Sequence, residues 1–213
     1  MKLYYIPTTR AVRPRWCFEE LGVSYELVRP TMAKMGEPEY RKLHPHGKVP
    51  VLIDEDVTIF ESAAICTYLT DKYSEKGLAP AVGTLARGYY YQWLFYASVT
   101  LESPIEQFMF NTLPDLPEKV LPKKKHSELS AEDALQWFAR VAEPVKETLK
   151  KQEFLVENRF STADIVTGGV LLWALKLGML RDHPSLKAYI ENLIKRPAFQ
   201  RADEDLYAKV DSE

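Results

Sequence analysis

The sequence has few cysteines, no long apolar run and almost no net charge, and each shortage argues against a class of protein. Only two cysteines, Cys17 and Cys66, occur in 213 residues. They form neither a CxxC pair nor a metal-ligand spacing, so we expect reduced thiols and no metal. The most apolar stretch, residues 170–180, is shorter than a membrane span and contains Lys176. The amino-terminal residues lack the apolar segment of a signal peptide, and we expect a cytoplasmic protein without membrane contact.

The charge balance argues against nucleic acid as a partner. The 28 Lys and Arg residues and 30 Asp and Glu residues leave a net charge of −2, which gives no attraction to a phosphate backbone. The one basic run, residues 123–125, lies in a proline-rich stretch and is predicted to be a solvated loop. The hydrophobic content of 46% is ordinary for a globular protein, and the length suits two small domains.

Strand and helix signals alternate in the first third of the chain. The first strand, helix and second strand predict a βαβ unit with parallel strands. Two short apolar runs around an acidic turn then predict a hairpin, and Ser62 is predicted to be the N-cap of the next helix. The result is an α/β domain with a mixed four-stranded sheet. The predicted elements are strands at residues 3–6, 25–28, 51–53 and 58–60 and helices at residues 11–22 and 62–73.

The remainder of the chain carries only helical signals. We predict a long aromatic helix that Pro104 kinks, and a central helix at residues 162–177, which is apolar on nearly every side and should be buried. The predicted helices cover residues 85–111, 131–151, 162–177 and 185–195. We therefore expect an α/β domain at residues 1–76, a linker at 77–83 and an all-helical domain at 84–207.

The first group of candidate site residues lies between strand 1 and helix 1. Pro14 belongs in the first turn of this helix because it has no N–H to donate. Thr8 and Thr9 then lie at or just before the helix N-terminus, where free N–H groups favour an anion. Thr9 as a simple N-cap is the alternative.

The second group is His44-Pro45-His46-Gly47-Lys48-Val49-Pro50, which leads into strand 3. A cis peptide bond before Pro50 is one way to place a proline at a strand start. It would turn the Val49 N–H and C=O outward, where they can pair with an extended ligand. We interpret the two histidines as loop residues, because no cysteine or acidic residue stands at metal-ligand spacing.

The third group is Glu61-Ser62, which directly follows the hairpin. The amides at the start of the next helix suit a carboxylate, and Glu61 can pair with an ammonium group. Together the two residues would bind the amino-acid end of a ligand. A capped helix start without a ligand is the alternative.

This combination resembles the glutathione transferase superfamily, in particular its bacterial cytosolic members. The resemblance implies a thioredoxin-like first domain, a cis Pro50, Val49 paired with the cysteinyl backbone of glutathione, and Glu61 and Ser62 on the γ-glutamyl end. It also implies a homodimer that takes part in detoxification. Residues 160–165, Phe-Ser-Thr-Ala-Asp-Ile, resemble the capping box of the family's central helix.

The catalytic position departs from the family's patterns. Arg10 stands where bacterial members of one class have a cysteine, and no tyrosine follows the loop. Thr-Arg-Ala resembles a Ser-Arg-Ala sequence of some fungal and bacterial members, so Thr9 is the candidate that stabilises the glutathione thiolate. Whether Thr8 or Thr9 faces the sulfur stays open. Arg10 is included among the substrate-binding candidates, and Arg10 or Arg13 could add a positive field at the thiolate. The alternative, expected more often for arginines on a surface helix, is that both side chains are solvated.

Further substrate-binding positions follow from the same resemblance. Lys34 could reach the glycyl carboxylate, Lys48 precedes Val49, and Phe108 is expected to line an electrophile site between the domains, together with Tyr96 and Phe110. The expected reaction adds the glutathione thiolate to an electrophilic carbon. The alternatives are glutathione-dependent isomerisation, dehalogenation or peroxide reduction at the same site, and a non-catalytic binding protein with this fold.

Overall fold

The computed structural model describes residues 1–113 and 129–203. The predicted proline-rich loop, its lysines at 123–125 and the end of the predicted second domain lie outside these residues. The elements are β1 Lys2–Tyr4, α1 Val12–Leu21, β2 Glu26–Val28, α2 Met32–Met35, α3 Pro38–Arg41, β3 Val51–Asp54, β4 Val57–Phe60, α4 Ser62–Lys72, α5 Leu85–Phe95, α6 Glu102–Thr112, α7 Ala131–Leu149, α8 Thr162–Lys176, α9 Pro184–Leu193 and α10 Pro197–Ala202.

The amino-terminal elements form the predicted mixed sheet, in the order β2-β1-β3-β4. Strands β1 and β2 are parallel, whereas β1 pairs with β3 and β3 with β4 in antiparallel orientation. Helix α1 ends at Gly22, whose φ of 66° closes the helix in the left-handed region. The βαβ-ββα order is confirmed, and the fold is thioredoxin-like. The one-turn helices α2 and α3 were not predicted, because four-residue helices leave no periodicity to detect.

The predicted long helix contains a π-helical segment in the region of the predicted kink. Residues Tyr96–Leu101 adopt π-helical bonding between α5 and α6, and Pro104 lies in the first turn of α6. Proline has no N–H to donate to the carbonyl group four residues earlier, and the irregular turn takes up this interruption. Helix α10 was also missed, because Pro197 was interpreted only as a stop signal although proline also begins helices.

Helix α8 is the buried centre of the helical part, as predicted. Twelve of its residues are buried, and it packs against α1, α4, α5 and α9. Gly168 and Gly169 allow α1 to approach, since a Cβ on Gly168 would lie 3.3 Å from the Trp16 ring and one on Gly169 would lie 2.5 Å from Arg13 Cγ. Because any larger residue would meet α1 at these distances, the close contact requires both glycines. Each glycine in a helix interior destabilises the helix by about 0.5–1 kcal/mol relative to alanine.

The predicted capping box at the start of α8 is present. Asp164 Oδ2 accepts hydrogen bonds from Ser161 N at 2.9 Å and Ser161 Oγ at 3.0 Å. Its Oδ1 accepts from Leu155 N at 2.9 Å and Tyr189 Oη at 2.7 Å. This carboxyl group therefore joins α8, α9 and the preceding loop in addition to capping the helix.

Candidate functional site

The loop between β1 and α1 holds the predicted catalytic residue. Ala11, not Thr9, is the N-cap of α1, and no side chain among the described residues forms a capping hydrogen bond at this N-cap. The interpretation of Thr9 as the N-cap is therefore wrong. Thr9 Oγ1 instead donates a hydrogen bond to Ile6 O at 2.7 Å and accepts one from Ala11 N at 3.2 Å. Its single hydroxyl proton is therefore used within the loop.

Thr8 differs from Thr9 in both conformation and exposure. Its φ is 64°, a left-handed value that is uncommon for a β-branched residue. The side chain is exposed, and within the described residues its hydroxyl has no hydrogen-bond partner. Backbone strain of this kind tends to occur at functional sites. Thr8 is thus the second hydroxyl available to a ligand at this loop.

Arg10 crosses from this loop to helix α6. Its Nε donates to Glu102 Oε1 at 2.6 Å, its Nη2 pairs with Glu106, and its guanidinium lies 5.0 Å from the centre of the Trp173 ring. Burial alone would lower the pKa of Arg10, but the two carboxylates outweigh burial and raise it. Because these carboxylates balance its charge, Arg10 adds little field at a neighbouring sulfur atom. The expectation of a solvated Arg10 is wrong, since the residue is only partly exposed.

Arg13 is fully buried, so the expectation that it is solvated is also wrong. Its side chain is 1% exposed, and Nη1 lies 3.0 Å from Glu102 Oε2 and 3.3 Å from Ser62 Oγ. Burial alone would raise the pKa of Glu102, but Arg13 and Arg10 outweigh it and hold that pKa below its ordinary value. An ion cluster thus joins α1, the start of α4 and α6.

The start of α4 differs in one respect from the prediction. Glu61 is the N-cap and Ser62 is the first helical residue, so Ser62 does not cap the helix. Glu61 is exposed and has a φ of 74°, whereas Ser62 is 4% exposed. An exposed carboxylate and a nearly buried hydroxyl therefore stand side by side at a helix N-terminus.

The loop before β3 has the predicted cis peptide bond between Val49 and Pro50. Within the described residues, the Val49 N–H and C=O take part in no hydrogen bond. His44 is 5% exposed and its ring centre lies 4.9 Å from that of Phe60. Burial lowers the pKa of His44, so this imidazole is neutral at pH 7. It does not neutralise the nearby carboxylate of Glu61.

The other predicted site residues are less closely associated. Lys34 lies in α2 and Lys48 in the loop before Val49, and both side chains are exposed. Phe108 is half-buried on α6 and packs against the core. Among the described residues, no hydrogen bond or ion pair joins the side chain of Lys34, Lys48 or Phe108 to the threonine loop or to the start of α4.

A groove of about 320 Å³ lies elsewhere, between the loop after α7 and helix α9. It contains none of the predicted site residues. Its charged residues are Glu153 and Arg196, and Arg196 already pairs with Glu20. We place the site instead at the loops described above, on the chemistry of their residues. Groove-lining residues are Leu149, Gln152, Glu153, Phe154, Ser185, Ala188, Tyr189, Asn192, Leu193 and Arg196.

Comparison with known proteins identifies the family of the chain. Residues 1–71 match the family "Glutathione S-transferase, N-terminal domain", and residues 104–197 match "Glutathione S-transferase, C-terminal domain". A probable glutathione S-transferase, GSTF2 of Oryza sativa subsp. japonica, is 31% identical over 86% of each chain. The chain belongs to the glutathione S-transferase superfamily. Glutathione S-transferase F13 of Arabidopsis thaliana is 29% identical over 97% of this chain and 96% of its own.

A solved structure supports the same conclusion for the whole fold. A sphingomonad glutathione S-transferase complexed with glutathione superposes with a TM-score of 0.80 at 26% identity, over 96% of this chain and 98% of that one. The present chain therefore has the two-part fold of the glutathione S-transferase superfamily, with a thioredoxin-like sheet domain followed by helices.

The sequence analysis did not identify the two carboxylates that pair with Arg10 and Arg13. Glu102 and Glu106 stand one helical turn apart on α6, the spacing that lets two side chains share a face. That spacing is a weak signal alone, since most such pairs are solvated.

In the described residues, no group of three or more His, Cys, Asp or Glu side chains is arranged to hold a metal ion. None of the helices described here is long and apolar enough to cross a membrane.

Proposed function

We propose that this protein binds glutathione at the sheet domain and transfers its thiolate to an electrophilic small molecule. The observation that carries the proposal is the pair at the start of α4, where Glu61 offers a carboxylate to an ammonium group and Ser62 offers a hydroxyl to a carboxylate. These two groups suit the γ-glutamyl end of glutathione. The unpaired N–H and C=O of Val49 suit an extended peptide backbone, which binds as an added strand.

The thiol end is proposed to lie at the loop of Thr8, Thr9 and Arg10. Lowering a thiol pKa from about 8.5 to about 6.5 requires roughly 2.7 kcal/mol. A hydrogen bond from one hydroxyl to a charged acceptor supplies about 1.5–3 kcal/mol. Thr9 is the proposed donor, and it must first release Ile6 O to face the sulfur. Thr8 is the second candidate because its hydroxyl is exposed and unpaired.

The remaining substrate contacts are proposals of the same kind. Lys34 in α2 and Lys48 directly before Val49 are exposed cations, and either suits the glycyl carboxylate. Phe108 is proposed to contact the electrophile, since α6 carries it together with the partners of Arg10. The domain limits 1–76, 77–83 and 84–207 and the cytoplasmic location also stay predictions.

A homodimer is proposed from the exposed side of α5 and the π-helical segment. Leu85 is 90% exposed, Tyr89 59%, Phe95 69% and Val99 65%. Four large apolar side chains on one side of a helix are typical of a surface that another chain covers. Phe95→Glu should convert a dimer to a monomer in light scattering, and a monomeric parent protein would contradict the proposal.

The test of the transferase proposal is a kinetic screen with activated aryl halides and unsaturated carbonyl compounds, in which both glutathione loss and conjugate formation are followed. We expect stoichiometric conjugate formation and a higher KM for glutathione in Glu61→Gln. Glutathione disulfide as the main product would favour peroxide reduction, and catalysis without net glutathione loss would favour isomerisation. Binding without turnover of any electrophile would favour a non-catalytic binding protein.

A further inference from the structure

The contact between Arg13 and Ser62 constrains the direction of the serine proton. Ser62 Oγ accepts a hydrogen bond from Arg13 Nη1 at 3.3 Å. No other residue in the described ranges forms a hydrogen bond with this hydroxyl. A hydroxyl group has one proton and two lone pairs, so a lone pair held by a cation leaves the proton directed elsewhere. Ser62 is thereby prepared to donate.

Arg13 is held in place by contacts on two sides. Glu102 Oε2 lies 3.0 Å from its Nη1, and the backbone of Gly169 lies so close that a Cβ there would be 3.0 Å from Nε and 2.5 Å from Cγ. The side chain therefore has little freedom to move away from Ser62. Its position depends on α6 and α8 of the helical part, although Ser62 belongs to the sheet domain.

Stability alone does not account for this arginine. Nε and Nη2 of Arg13 have no hydrogen-bond partner among the described residues, and buried donors without partners are costly. A hydrophobic side chain of similar volume would avoid that cost. A buried, incompletely paired arginine beside a candidate ligand-binding hydroxyl indicates a functional reason for its presence.

We propose that Arg13 is a positioning residue that makes Ser62 a dedicated hydrogen-bond donor for the α-carboxylate of the glutamyl end. The inference rests on the proposed function and explains how a neutral side chain selects an anion. The bond from the guanidinium is charge-assisted and polarises the hydroxyl, which strengthens its donation to a carboxylate. Arg13 thus acts through Ser62 without touching the ligand.

The test compares two peptides by calorimetry: glutathione and its analogue γ-aminobutyryl-cysteinyl-glycine, which lacks only the α-carboxylate. The parent protein should bind glutathione more tightly by about tenfold or more. Arg13→Met should reduce this ratio to the value found for Ser62→Ala, and the double variant should show no further loss. Arg13→Lys keeps a charge beside Glu102 without the planar fork and should give an intermediate ratio.

Arg15→Met is the matched control. Arg15 is a buried arginine of the same helix, but it donates to Arg201 O at 3.2 Å, away from α4. This change should lower the melting temperature and leave the ratio unchanged. Melting curves of all variants identify any that fail to fold, and Arg13→Lys then carries the test.

The possible outcomes distinguish the proposed function from the role of Arg13. A parent protein that binds neither peptide overturns the proposed function and this role together. Glutathione binding with an unchanged ratio in the Arg13 variants overturns the role of Arg13 and leaves the proposed function intact. Equal loss of affinity for both peptides would mean a purely structural role and would likewise overturn the inference.

Discussion

Replacement of Glu102 by Gln should strongly destabilise the protein. The carboxylate is 2% exposed and accepts from Arg10 Nε at 2.6 Å, with Arg13 Nη1 3.0 Å from its other oxygen. Glutamine keeps the volume but offers one acceptor oxygen and places an NH₂ group against a guanidinium. The buried charge of Arg13 then loses its partner, and breaking a buried pair costs about 3–5 kcal/mol. For a chain of this length we expect Tm to fall by roughly 6–20 °C.

The effect of this substitution should depend on pH. Arg13 and Arg10 overcome the effect of burial and hold the pKa of Glu102 below its ordinary value of 4.5. The native state therefore gains stability from the ionised group above about pH 4.5 and loses it as the pH falls toward the folded pKa. The loss of unfolding free energy in Glu102→Gln, relative to the parent, should be largest at pH 7 and should decrease below about pH 4.5.

Urea denaturation at several pH values measures both effects, with Glu106→Gln as the control. Glu106 also pairs with Arg10, but its side chain is 34% exposed, so its loss should cost less than about 1 kcal/mol. A Glu102→Gln variant whose free energy of unfolding at pH 7 lies within about 1 kcal/mol of the parent value would refute this reasoning. So would a deficit of the same size at every pH.

Three further substitutions test other parts of the structure. Asp164→Ala should cost about 3–5 kcal/mol in urea denaturation, because buried donors at four contacts lose their acceptor; a loss below 1 kcal/mol would contradict this account. Gly169→Ala should lower the free energy of unfolding by about 1–3 kcal/mol through overpacking, and it should raise KM for glutathione because the new Cβ displaces Arg13. An unchanged KM would show that the position of Arg13 does not affect glutathione binding. Thr9→Ala should lower kcat much more than glutathione affinity, and unchanged turnover there with loss in Thr8→Ala would assign the role to Thr8.

Local patterns sufficed to predict most of the fold. The βαβ unit, the hairpin and the buried central helix each depend on short-range periodicity and on residues such as Gly22 and Asp164 whose conformational roles are local. The cis bond before Pro50 followed from the family resemblance and was confirmed. Elements without a periodic pattern, such as the one-turn helices α2 and α3, could not be found in this way.

The partners of the site arginines could not be predicted from local patterns. Arg10 is 92 residues from Glu102 along the chain, and the contact exists only because α6 packs beside the loop after β1. Arginines on a predicted amphipathic helix are usually solvated, and nothing near Arg13 in the sequence indicates that α8 will cover it. The same long-range packing makes Gly169 necessary, which its neighbours in sequence do not reveal.

The most direct test of the central claim is a calorimetric titration of the protein with glutathione at pH 7, repeated in two buffers of different ionisation enthalpy. The difference in heat between the buffers gives the number of protons released on binding. We expect micromolar to low-millimolar binding with proton release, because the site binds the thiolate form. Absence of binding would contradict the assignment of a glutathione site, and binding without proton release would contradict thiolate formation at the threonine loop.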